Sequence, residues 1–171
     1  MRISLLGTLE VTGDDGPVEV GGHRVRTLLA LLALEAGRTV TADRLIGVLW
    51  PDDPPVNAAN ALQTLIRRLR TALRPHEVVA GRPGGYALTG AEVDTLRFAT
   101  LSGQDPEAAL ALWRGPALVD LLAVPHLANV AARLEEDRLA CVEAAAERGH
   151  PVNLLAEAEA HPLRERLAAL A

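Results

Sequence analysis

The chain has 171 residues, enough for one large domain or two small ones. Its side chains are 49% hydrophobic but only 2% aromatic, which excludes a disordered chain and leaves the core to Leu, Val and Ala. The formal net charge is -5, all 17 basic residues are Arg, and the single cysteine, Cys141, excludes a disulfide framework and a thiolate zinc site.

Residues 3–12 alternate. Ile3, Leu5, Leu9 and Val11 share one parity, and Ser4, Thr8, Glu10 and Thr12 the other, as in a half-buried strand. Leu6 breaks the alternation, and Gly7 marks a bulge or bend. Asp14-Asp15-Gly16-Pro17 has turn chemistry. Val18-Glu19-Val20 is expected to return as a second strand, giving a small antiparallel sheet. A first helix is predicted over 23–36, because Val25, Leu28, Leu29, Leu32 and Ala36 keep helical spacing and Gly37 is a natural stop. Arg38-Thr39-Val40 is short and β-prone. Thr41 caps a second helix with Asp43 in its first turn, Val40 and Leu45 are placed as a hydrophobic staple, and Pro51 closes the helix after Trp50.

Residues 52–56 form an acidic, proline-rich loop. Asn57 caps a third helix that runs to residue 73 or 74. Leu62, Leu65, Ile66, Leu69 and Leu73 make its narrow apolar stripe. The opposite face carries Asn57, Asn60, Thr64, Arg67 and Thr71, flanked by Gln63 and Arg68, with Arg70 nearer the core edge. Val78-Val79-Ala80 and Tyr86-Ala87-Leu88 enclose Gly81-Arg82-Pro83-Gly84-Gly85, the pattern of a hairpin. Residues 1–90 are therefore expected to be one α+β domain, whose order of sheet, three helices and hairpin matches a winged helix-turn-helix.

From Asp94 onward the whole chain is expected to be helical. Asp105-Pro106-Glu107 starts a helix that ends at Arg114-Gly115-Pro116. A long helix follows over 125–148, closed by Gly149 and holding Cys141 as a small buried residue. Two short helices come after Pro151 and Pro162. Paired helices broken by Gly and Pro suggest an all-α, TPR-like second domain over 91–171, although no repeat period is visible. The last helix runs to Ala171 without a stop signal, so the second domain is expected to be shortened or truncated and the chain to be a fragment of a longer protein. There is no charged region followed by an apolar run at the N-terminus, and Leu28 to Leu34 is far shorter than the ~20 residues of a membrane span. A cytoplasmic protein without membrane contact is expected.

The charge is unevenly spread. Residues 1–90 hold ten Arg against nine acids, and residues 98–171 six Arg against eleven acids. Arg67, Arg68, Arg70, Arg74 and Arg82 lie close together, opposed only by Glu77. A local basic stripe docks on phosphate even when the chain is acidic overall. Major-groove recognition needs an exposed helix face of polar side chains, with Asn and Gln suited to adenine and Arg to guanine. The third helix offers such a face with no acid on it. Arg82, at a glycine-rich tip, suits a narrow minor groove or its phosphates. The bland alternative is a merely solvated face.

Nothing points to catalysis. Asp14-Asp15 and Asp52-Asp53 lie in turn-rich loops with no nearby His, and the five His show no metal-ligand spacing. Residues 81–85 lack the Lys-Ser/Thr of a phosphate loop, and no serine elbow exists. No catalytic residue, metal or cofactor is expected.

Residues 1–90 resemble the winged helix of OmpR/PhoB-type response regulators, through Ile66-Arg67-Arg68-Leu69-Arg70, Ala72-Leu73, and Gly81-Arg82 with Gly85-Tyr86. They are closer still to the antibiotic-pathway regulators of actinobacteria, the SARP family. Arg2-Ile3-Ser4-Leu5-Leu6-Gly7, Asp43-Arg44-Leu45-Ile46 with Leu49-Trp50, Asp52-Asp53-Pro54-Pro55 and Asn60-Ala61-Leu62-Gln63-Thr64 carry that likeness. The second half is similar to the bacterial transcriptional activation domain of the same family, through residues 111–118, Ala132-Arg133-Leu134-Glu135-Glu136 and His161-Pro162-Leu163-Arg164-Glu165. The resemblance implies an activator of a biosynthetic gene cluster that binds direct repeats in double-stranded promoter DNA as a side-by-side homodimer and recruits RNA polymerase. It implies base reading by Arg68, phosphate contacts by Asn60, Arg67, Arg70 and Tyr86, and minor-groove entry by Arg82. It further implies a polymerase contact by the loop from Trp50 through Asp52 and Asp53 to Val56. The rival expectation is a helical protein-interaction module whose winged helix does not bind DNA.

Overall fold

The computed structural model describes residues 1–150, 152–161 and 165–170. Strands β1 (Arg2–Ser4), β2 (Glu10–Gly13) and β3 (Gly16–Pro17) open the chain, followed by helix α1 (His23–Leu34), strand β4 (Val40–Thr41) and helices α2 (Ala42–Leu49) and α3 (Ala58–Ala72). Strands β5 (Val79–Arg82), β6 (Gly85–Leu88) and β7 (Glu92–Val93) come next. Helices α4 (Asp94–Leu101), α5 (Pro106–Leu110), α6 (Pro125–Glu147), α7 (Leu154–Ala160) and α8 (Glu165–Leu170) form the second half, with a 3-10 turn at Val119–Leu121. This is a winged helix-turn-helix joined to a helical domain. Among the described residues no helix is long and apolar enough to cross a membrane.

The alternating stretch at 3–12 is two strands rather than one. Ile3 pairs with Val11 across an antiparallel β1–β2 ribbon, and the chain turns back between them. Both Leu5 and Leu6 are fully buried, which a continuous strand with one wet face cannot achieve. Gly7 sits at φ +143, and a Cβ there would press on the Arg114 side chain at 3.2 Å. The expected strand at 18–20 is absent. The second pairing partner of β2, beside β1, is Gly16–Pro17, and beyond it Val18 donates to the Val11 carbonyl at 2.8 Å before the chain leaves the sheet.

The first sheet runs β3-β2-β1-β7, and β7 lies parallel to β1 although residues 92–93 follow the winged helix in sequence. Just after β7, the buried Asp94 accepts the backbone N–H groups of Leu5 at 2.8 Å and Leu6 at 3.0 Å. The expected helix from 105 to 114 stops at Leu110, because the following segment folds back onto the same bend. Arg114 N–H donates to the Leu6 carbonyl and Leu118 N–H to the Leu5 carbonyl, at 2.9 and 3.0 Å. Leu118 takes a left-handed φ of +53 to make that turn. Asp120 then accepts Leu9 N–H at 2.9 Å and pairs with Arg26, whose guanidinium also donates to the Leu9 carbonyl. The polar backbone of the 5–9 bend is thus satisfied largely by the second half, which lets a bend be buried without orphaned groups. One hydrophobic core runs through both halves, from Ile3 and Leu29 to Leu121 and Leu127.

The long helix α6 matches the expected span to within a residue. Arg138 at its middle donates to both carboxylate oxygens of Glu157 at 2.6 and 2.7 Å, tying α7 to α6, and its guanidinium lies 5.8 Å from the Trp113 ring. Pro151, Pro162 and Ala171, which marked the expected starts and end of the last helices, lie outside the described residues.

Candidate nucleic-acid interface

Helix α3 forms where the sequence places it, and for the expected reasons. The Asn57 side chain accepts the Asn60 N–H at 3.0 Å, as an N-cap should. Leu62, Leu65, Ile66 and Leu69 are buried, each contributing about 1.5–3 kcal/mol on transfer from water. Pinned by that stripe, the helix leaves Asn57, Asn60, Gln63, Thr64, Arg67, Arg68, Arg70 and Thr71 exposed. Among the described residues, none of Arg67, Arg68 and Arg82 has an ion-pair partner. The outer flank stays exposed among the described residues, and its Arg68 edge shares a cleft with residues 123–125.

The wing is the β5–β6 hairpin, in a second sheet of order β4-β6-β5. Arg82 faces Gly85 across a two-residue turn in which Pro83 sets its own φ and Gly84 takes +74, the combination of a type II turn. Arg82 is exposed at the tip, and Tyr86 is half-buried opposite Val40. Three contacts fix the wing relative to the helices. Ala42 N–H, at the start of α2, donates to the Gly84 carbonyl at 2.9 Å. A Cβ at Gly85 would lie 2.1 Å from the Val40 carbonyl oxygen, so only glycine lets β6 pass β4. Arg70 Nε donates to the Val79 carbonyl at 3.0 Å, bridging α3 to the wing. Sequence spacing put Arg70 near the core edge, and the structure gives it this positioning bond while its side chain stays exposed.

Thr41 caps α2 as expected, accepting Arg44 N–H at 3.3 Å. Beyond α2, Trp50 is half-buried under the Arg24 guanidinium, 5.9 Å from its ring, whereas Asp52 and Asp53 are exposed in the loop before α3. Val56 is fully exposed at the end of that loop. Sequence reasoning passed over Arg24, and it placed Gly85 in the hairpin tip without seeing its close approach to β4. The first could have been found as an unopposed base at a helix start, whereas the second announces itself only through β4, more than forty positions away.

Three electrostatic sites lie away from this face. Burial pushes the Asp94 carboxyl above the ordinary value, against the pull of the Leu6 and Leu5 N–H bonds. Burial also opposes ionisation of Asp120, but the Arg26 hydrogen bond and the Leu9 N–H outweigh it and hold that carboxyl below the usual range. The Arg138 hydrogen bond holds Glu157 low as well.

The family described as "Transcriptional regulatory protein, C terminal" matches residues 20–88, and the "Bacterial transcriptional activator domain" family matches residues 99–171. The regulatory protein DnrI of Streptomyces peucetius is 32% identical over 202 residues, covering 98% of this chain and 74% of the relative. The regulatory protein AfsR of Streptomyces coelicolor is 33% identical over 98% of this chain, which spans only 19% of that relative. The transcriptional regulatory protein EmbR of Mycobacterium tuberculosis, solved in complex with a low-affinity phosphopeptide, superposes with a TM-score of 0.85 at 30% identity. That match covers 99% of this chain and 52% of the solved one, so the chain spans about half of that relative.

Proposed function

Since the chain belongs to the SARP family of transcriptional regulators, in which an OmpR/PhoB-type winged helix precedes a bacterial transcriptional activation domain, we propose that it binds promoter DNA sequence-specifically and activates a biosynthetic gene cluster. Residues 1–90 are the DNA-binding unit in this reading, and residues 91–171 the activation unit. Helix α3 enters the major groove. Arg68 reads base edges there, Asn60, Arg67, Arg70 and Tyr86 hold phosphates, and Asn57, Gln63, Thr64 and Thr71 complete the contact surface. Arg82 enters the adjacent minor groove. Trp50, Asp52 and Asp53 present an acidic loop to RNA polymerase, and two copies sit side by side on direct repeats.

The observation that carries this reading is an exposed α3 face with no acid in the helix, whose Arg67 and Arg68 have no ion-pair partner among the described residues, beside a wing locked to α2 and α3. A helix of this kind without a polyanionic partner gains nothing from holding like charges together. Footprinting on the intergenic DNA next to the gene tests it. Protection of short repeats in one orientation is expected. Uniform protection without sequence preference contradicts the major-groove role of α3, and no protection at all leaves the protein as an interaction module.

A further inference from the structure

Between the winged helix and the second half lies an open cleft of about 550 Å3. It is separate from the groove-facing surface except at one residue. Its floor is apolar, made by Val48, Leu49 and Leu65 with Val124 from the far side. Its rim carries Arg24 and Arg68, both exposed and neither with an acid partner among the described residues. No Asp or Glu lines it among the described residues. The volume falls within the ~300–1,000 Å3 typical of small-molecule sites, which pair apolar walls with a few placed polar groups.

We propose that this cleft binds a small anionic amphiphile, with its apolar body on Leu49, Leu65 and Val124 and its carboxylate, sulfonate or phosphate between Arg24 and Arg68. Charge complementarity selects the occupant. Two unanswered guanidiniums above an apolar floor favour an anion with a hydrocarbon body over a neutral or cationic molecule of the same shape. The Arg24 guanidinium lies 5.9 Å from the Trp50 ring, within cation–π range, a contact that lowers the cost of ordering this half of the anion site. Because Arg68 also belongs to the proposed base-reading face, an occupant withdraws it from DNA. The cleft then acts as an effector site, and this second step rests on the proposed function whereas ligand capture does not.

The test uses the full chain and the fluorescent probe 1-anilinonaphthalene-8-sulfonate. Saturable binding of one probe per chain is expected, with displacement by decanoate at concentrations about tenfold lower than by decanol, the margin of one charge-assisted bond. Arg24→Gln and Arg68→Gln are each expected to weaken the probe several-fold, and Ala123→Trp, which closes the cleft from the second half, to abolish saturable binding while the circular dichroism melt stays cooperative. Displacement by decanol equal to that by decanoate overturns the proposal, as does undiminished binding to a folded Ala123→Trp. DNA affinity measured with and without decanoate tests the coupling. Weaker DNA binding by the parent in decanoate supports it, and unchanged affinity with a filled cleft overturns it. DNA binding without decanoate reads the proposed function by itself, so the two failures are distinguishable.

Discussion

Arg26, Arg114 and Arg138 are each held on several acceptors: Arg26 on Asp120 and the Leu9 and Val20 carbonyls, Arg114 on Glu10 and the Thr8 carbonyl, Arg138 on Glu135 and Glu157. Arg67, Arg68 and Arg82 on α3 and the wing hold nothing among the described residues. The first set is one-third exposed or less in its side chains and ties distant segments together. The second is exposed on elements whose own positions are fixed by apolar packing and backbone bonds. The same side chain is structural where its fork is filled from within and available for recognition where the scaffold is fixed by something else.

The largest effect that would break this division comes from the scaffold. Gly85→Ala drives a methyl into the Val40 carbonyl and should cost about 3 kcal/mol, seen as a lowered melting temperature together with loss of DNA binding. A fully stable Gly85→Ala protein would show that the wing is not held as described.

Next in size come the free arginines. Arg67→Ala and Arg82→Ala should each weaken DNA binding by roughly tenfold at moderate salt without moving the melting curve, and Arg68→Ala should also shrink the preference for the cognate sequence by about 1–3 kcal/mol. Anisotropy titrations with cognate and scrambled duplexes measure both. A shifted melt in any of the three would move that arginine to the structural set.

The paired set makes the opposite forecast. Arg138→Ala should destabilise the fold by about 2 kcal/mol, less than a fully buried pair because its partners are partly solvated, and leave DNA affinity at low temperature unchanged. The pH dependence follows the same pairs. Asp120 and Glu157 have folded pKa values below their unfolded ones, so their contribution is complete above the ordinary carboxylate range near pH ~4 and is lost as the pH falls through the depressed values. Asp94 works in the other sense, since its raised value makes its contribution fall as pH rises from the ordinary value to the raised one. Denaturation midpoints between pH 3 and 6 should therefore show an acid limb that Glu157→Gln flattens. The smallest effect is Asn57→Ala, about 1 kcal/mol from the lost N-cap.

The same contrast explains what the sequence made legible. Helix α3, its Asn57 cap, the Thr41 cap of α2 and the wing follow from local rules, because each depends on residues within a turn or a two-residue loop. The exposed face was legible because its apolar stripe lies within one helix. The interlock was not. Asp94 bonds Leu5 across 89 positions and Asp120 bonds Leu9 across 111, and a lone acid in a loop carries no sign of such a partner. For the same reason the alternation at 3–12 predicts one strand with a bulge or bend at Gly7 rather than two strands: the segments that bury Leu5 and Leu6 lie far downstream. The helix expected to reach Arg114 ends at Leu110 because the Leu6 carbonyl takes the Arg114 N–H instead.

The central claim is most directly tested by the salt dependence of binding to a duplex carrying the footprinted repeat. Comparing the parent with an Arg67→Ala/Arg68→Ala/Arg82→Ala protein, the plot of log affinity against log salt should be steep for the parent and shallower by at least about one for the triple variant, the counterion released by the Arg67 phosphate contact. Equal slopes from two equally folded proteins would mean that α3 and the wing do not face the phosphates.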